Sequence, residues 1–137
     1  MTITASCTGS IVPLVKFTLE PGAPVNLIRG YSDGEIRIGE KAVQGSCIVS
    51  ADTLITLWEP QAFAELRARH LEALLALAPE LVVLGTGATQ QFPSAEIRAL
   101  LAQRGVGLEA MHLGAACRTF NVLVQEERRV AAGLFLR

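Results

Sequence analysis

Apolar and polar positions alternate over short distances in the first part of the chain and gather into longer blocks afterwards. Ile36 and Ile38 alternate with Glu35 and Arg37, which predicts a strand with one buried face. Asp33-Gly34 before it and Gly39-Glu40 after it suit tight turns. From Leu27 the pattern reads as a meander, with further short strands over 46–50 and 54–58 on either side of Ala51-Asp52-Thr53. Upstream, Pro13, Pro21 and Pro24 interrupt any helix, and residues 1–16 are expected to form an extended arm. Glu59-Pro60 predicts the start of a helix running to about residue 77, because proline fits a first helical turn. Phe63, Leu66, Leu74 and Leu77 would be its apolar stripe, and His70 a residue at the stripe's edge.

Leu81-Val82-Val83-Leu84 is an unbroken apolar run followed at once by Gly85-Thr86-Gly87, which predicts a buried strand ending in a sharp loop. A helix follows, with Ser94 as N-cap, Glu96 in its first turn, Ile97, Leu100 and Leu101 on its core face, and Gly105 closing it. Residues 108–113 return as a strand, giving a βαβ crossover. Residues 114–125 form another helix, with Ala116, Phe120 and Leu123 on one face and Arg118, Asn121 and Gln125 on another. A turn over 126–129 leads to a last strand over 130–136. If the strands are parallel, Gly85 and Gly114 both follow carboxyl ends at one sheet edge, where ligand crevices of open α/β sheets form.

That edge defines the candidate site. Backbone N–H groups of Gly85, Thr86 and Gly87 would hold oxygens, Arg118 would pair with a small anion such as a carboxylate or phosphate, and Asn121 would fix its orientation. Arg118 has a second reading, a clamp on the carbonyls of neighbouring loops. Thr86 is read as a turn residue with a local backbone bond. Cys117, beside Arg118 in a first helical turn, is a weaker candidate, a nucleophile if its pKa is lowered and an inert core thiol otherwise. His112 is a base or, more simply, a structural hydrogen-bonding group.

Length and composition narrow the rest. A chain of 137 residues fits a single domain, residues 1–137. A net charge of −1 without a basic block argues against nucleic-acid partners. Cys7, Cys47 and Cys117 lack metal-ligand spacing, so no metal and no cofactor is expected. No apolar run reaches the roughly 18–20 residues of a membrane span, and the start of the chain lacks secretory or transit features, so a cytoplasmic location is expected.

Gly-Tyr-x-Asp-Gly at 30–34, Arg37-Ile38-Gly39, the Gly-Thr-Gly at 85–87, and above all AACRTFNVL at 115–123 followed by Glu127-Arg128-Arg129-Val130-Ala131-Ala132 resemble a known family. It is the small uncharacterised domain that stands alone in many bacteria and archaea and occurs in mitochondrial assembly factor three of respiratory NADH dehydrogenase (complex I). The resemblance covers roughly residues 17–136. It implies an α/β fold in three layers, a mixed central sheet with flanking helices and an additional N-terminal β-meander layer, and a last strand running against its neighbours. It also implies a non-enzymatic binding or assembly module with a protein partner, and a homodimer is compatible with the apolar half of the composition. The alternative is an anion-binding protein or enzyme using Gly85, Thr86, Gly87, Arg118 and Asn121.

Overall fold

The computed structural model describes residues 25–137; the arm expected over residues 1–16, and Cys7, lie outside that range. Two sheets form. The smaller is an antiparallel meander of β1 (Ile28–Tyr31), β2 (Ile36–Ile38) and β3 (Lys41–Val43), in which Gly39, at φ +58°, makes the turn between β2 and β3. The larger has five strands, β4 (Cys47–Ser50), β5 (Leu54–Ile55), β6 (Leu81–Thr86), β7 (Gly107–Met111) and β8 (Val130–Phe135), in the order β5-β4-β8-β6-β7. Helix α2 (Ala95–Gln103) joins β6 to β7, and α3 (Leu113–Gln125) joins β7 to β8; among the described residues one short α-helix, α1 (Glu72–Leu75), precedes them.

Period-two alternation divides the core between the faces of the large sheet. Cys47 and Val49 of β4, Val83 of β6, and Val130, Ala132 and Leu134 of β8 face Ala116, Cys117, Phe120 and Val124 of α3 and the meander's Ile28, Ile36, Ile38 and Val43. Ile48, Val82, Leu84, Ala131 and Phe135 take the opposite face, against Trp58, Phe63, Leu66, Leu71, Leu74 and α2's Ile97 and Leu101. The expected mixed three-layer α/β architecture with its added meander is what forms. Gly133 allows the Trp58 ring to lie against the sheet: a Cβ there would come within 2.9 Å of the indole.

Three expectations need correction. The last strand does not run against all its neighbours. It is antiparallel to β4 but parallel to β6, because α3 carries the chain back to the edge at which β6 begins. Residues 54–58 pair only over β5; Leu57 then takes a positive φ of 58° and turns Trp58 into the core. The helix expected over 59–77 breaks into 3₁₀ turns at Phe63–Glu65 and Ala68–Leu71, followed by α1. Leu66 and Arg67 are extended where the helix would have continued. The Phe63 N–H donates to the Arg137 carbonyl at 2.8 Å, and the Arg67 N–H donates to His70 Nδ1 at 2.9 Å. Both donors find partners outside an i−4 ladder, so the chain starts a new turn instead of extending the old one. His70 is therefore a buried cap, and its Nε2–H donates to Glu59 at 3.1 Å.

Candidate functional site

The amino end of α3 does meet the carboxyl end of β6. The Leu113 N–H donates to the Gly87 carbonyl at 2.8 Å. A Cβ on Gly85 would lie 3.0 Å from Ala116 Cβ, 3.1 Å from Leu134 Cδ2 and 3.3 Å from Leu113 Cδ1. The convergence expected from the sequence is thus present, but packing fills it. The strand also runs further than expected: Gly85 and Thr86 belong to β6, in register with Leu134 and Phe135 of β8, and only Gly87, at φ +88°, bends. Gly85, Thr86 and Gly87 are all buried. Gly85 is the close-approach glycine that lets α3 settle on the sheet.

Thr86 holds the segment after it. Its hydroxyl donates to the Thr89 carbonyl at 2.7 Å, with the Met111 carbonyl at 3.2 Å, and accepts the Gln91 N–H at 3.0 Å. His112, exposed, is the N-cap of α3, where Nδ1 accepts the Ala115 N–H at 3.3 Å. Asn121 reaches into the meander. Its Oδ1 accepts the Ile28 N–H and its Nδ2 donates to the Ile28 carbonyl, both at 2.8 Å. An amide side chain presents one donor and one acceptor, as a peptide unit does, so Asn121 stands in for the strand that edge strand β1 lacks.

Arg118 is exposed on the outer face of α3, where it borders a shallow hollow of about 240 Å³ shared with Thr119, Val122 and Leu123. None of Gly85, Thr86 or Gly87 lines it, so the guanidinium and the glycine bend do not form one crevice. Tyr31, from the Gly-Tyr-x-Asp-Gly stretch, packs its hydroxyl on Gly114 at the start of α3, a contact between positions too far apart in the chain for any local pattern to pair them.

Cys117 is buried, and desolvation pushes its thiol up to about 11, outweighing the opposing pull of Arg118. The lowered pKa expected of a nucleophile does not occur. Cys47, in the same core cluster, is pushed up to about 12, mainly by burial and further by Cys117. Among the described residues no three of His, Cys, Asp and Glu gather as a metal site, and no helix is long and apolar enough to cross a membrane.

The chain is 33% identical over 110 residues to zebrafish (Danio rerio) NADH dehydrogenase [ubiquinone] 1 alpha subcomplex assembly factor 3, across 79% of this chain and 63% of that protein. It is 40% identical over 62 residues to a "13 kDa major membrane protein" of Francisella tularensis subsp. holarctica, 45% of this chain and 50% of that one. It thus spans less than two thirds of the length of either relative. A Bordetella parapertussis protein of known crystal structure superposes with a TM-score of 0.78 at 33% identity, covering 84% of this chain and 98% of that one. Eukaryotic and bacterial proteins share the domain, as the resemblance implied. Residues 28–135 match the family described as protein of unknown function (DUF498/DUF598), and the chain belongs to that family.

Proposed function

We propose that the protein is a binding module that assists assembly of a larger complex through protein contacts. The observation that carries this reading is the 33% identity to an assembly factor across 79% of the chain. The geometry is consistent with it: the amide of Asn121, the hydroxyl of Thr86 and the imidazole of His112 are all engaged in holding the fold. The related assembly factor is named for NADH dehydrogenase, so a respiratory dehydrogenase is the complex to test first. Deleting the gene in its host should lower the amount of assembled dehydrogenase on a native gel, and expressing the wild-type chain should restore it. Unchanged assembly in the deletion strain would refute the reading. The buried, reduced thiols suit a cytoplasmic location; cell fractionation tests it, with recovery in the membrane fraction as the opposing result.

A further inference from the structure

A groove of about 280 Å³ lies between the 3₁₀ turn at Phe63–Glu65 and the start of α2. Phe63, Leu66, Pro93 and Ile97, all buried, lie at its base, Gln91 and Ser94 add polar groups to its wall, and Phe92, 80% exposed, stands at its lip. The volume suits one or two large apolar side chains and lies at the bottom of the roughly 300–1,000 Å³ of typical small-molecule sites. Arg67 lines it, and Arg98 reaches it only through the carbonyl of the lining residue Pro93. Arg67 is held by Nη1 bonds to the Ala64 and Leu66 carbonyls at 3.0 and 3.1 Å, and Arg98 by Nε to the Pro93 carbonyl at 3.3 Å. Arg37, Arg69, Arg104, Arg128 and Arg129 each lie within 4 Å of a glutamate, whereas among the described residues Arg67 and Arg98, like Arg29, Arg118 and Arg137, have no carboxylate within that distance. The guanidinium groups of Arg67 and Arg98 are oriented by carbonyls and keep N–H donors for a further acceptor.

We infer that this groove docks an acidic peptide segment of a partner protein, one large apolar side chain entering beside Phe92 and flanking carboxylates meeting Arg67 and Arg98. The inference rests on the binding-module reading and supplies its contact surface. An apolar anchor in a pocket with a charged rim is the usual division of labour at a protein interface. A concave floor favours an inserted side chain over a flat lipid surface.

The test is selection of a random dodecamer peptide library on the folded full chain, followed by fluorescence anisotropy of the enriched peptides. Phe92→Ser and Arg98→Gln alter exposed side chains, and circular dichroism checks that both variants fold. Enriched peptides should pair a large apolar residue with Asp or Glu. They should bind at least 10-fold more weakly to Phe92→Ser and several-fold more weakly to Arg98→Gln, with affinity falling as salt rises. No enrichment, no acidic bias, or equal binding to both variants overturns the inference. So does Phe92-dependent binding to phosphatidylglycerol vesicles without peptide selection, or a dimer that Phe92→Ser dissociates. In the deletion strain, full rescue by the double variant sinks the groove alone, whereas failure of the wild-type chain to matter sinks the assembly reading.

Discussion

Removing the Asn121 amide tests the joint between helix and meander. Ile28 is 6% exposed, and its N–H and C=O each have the Asn121 side chain as partner at 2.8 Å. Asn121→Ala leaves both groups unpaired in a place water reaches poorly. Each such group costs roughly 1–3 kcal/mol, and partial hydration at the sheet edge puts the total at about 2–4 kcal/mol. Urea denaturation followed by fluorescence of Trp58, the chain's one tryptophan, measures the loss directly. Hydrogen exchange at the Ile28 amide locates it, since protection there should fall further than at β6 or β8. A loss under about 0.5 kcal/mol with Ile28 protection intact would refute the clamp, because that is within the range of an ordinary surface substitution.

Asn121→Asp separates the two bonds. The acceptor for the Ile28 N–H survives, but a carboxylate oxygen then faces the Ile28 carbonyl. The introduced carboxyl is favoured in its protonated form, which donates to that carbonyl, so its folded pKa rises above the unfolded value of about 3.9. Stability relative to wild type should therefore be best below about pH 4 and decline as pH rises through the raised folded value. A deficit independent of pH would show that the carbonyl does not face the carboxyl.

Other outcomes follow from the same contacts. Gly85→Ala should cost about 1–3 kcal/mol, because Ala116 and Leu134 stand 3.0 and 3.1 Å from the new methyl and the surrounding core cannot yield; urea melts check this. Gly114→Ala should stay within about 1 kcal/mol of wild type, since the half-exposed Tyr31 ring can swing aside and alanine is the better helix former. With Cys7 replaced by Ser, Ellman's reagent at pH 8 should modify Cys117 at least about 100-fold more slowly than an ordinary thiol, from ionisation alone, because its pKa stands near 11 against 9.0. In urea both cysteines should react at full speed, and rapid modification of the native protein would contradict the buried assignment.

Elements governed by neighbours in sequence were legible. Ser94 caps α2 by accepting the Ile97 N–H at 3.2 Å, and Gly105, at φ +70°, closes it, as the local residue types required. The apolar run at 81–84 is a central strand, and the stripe of Ala116 and Phe120 on α3 is buried. The helix expected over 59–77 failed for a non-local reason. Its stripe residues Phe63, Leu66 and Leu74 are buried as expected, yet the Phe63 N–H is taken by Arg137, 74 positions on, while His70 caps Arg67 and restarts the turn. Helical spacing recorded which side chains go inside; it did not record which carbonyls the amides would find.

The candidate site shows the same division more sharply. A βαβ crossover predicts Gly85 and the start of the Arg118 helix at one sheet edge, and α3 does arrive there. A glycine that lets backbone approach a ligand and one that lets a helix approach a sheet look identical in sequence. Ala116 and Leu113 settle the matter for Gly85 by occupying the space themselves. Asn121 is likewise a polar residue whose meaning lies 93 positions away, at Ile28. Surface chemistry then falls to groups that have no buried partner to satisfy. Phe92 is exposed beside an apolar floor, and among the described residues the guanidinium groups of Arg67 and Arg98 are anchored by carbonyls alone. Such groups hold the fold less than they shape what can approach it.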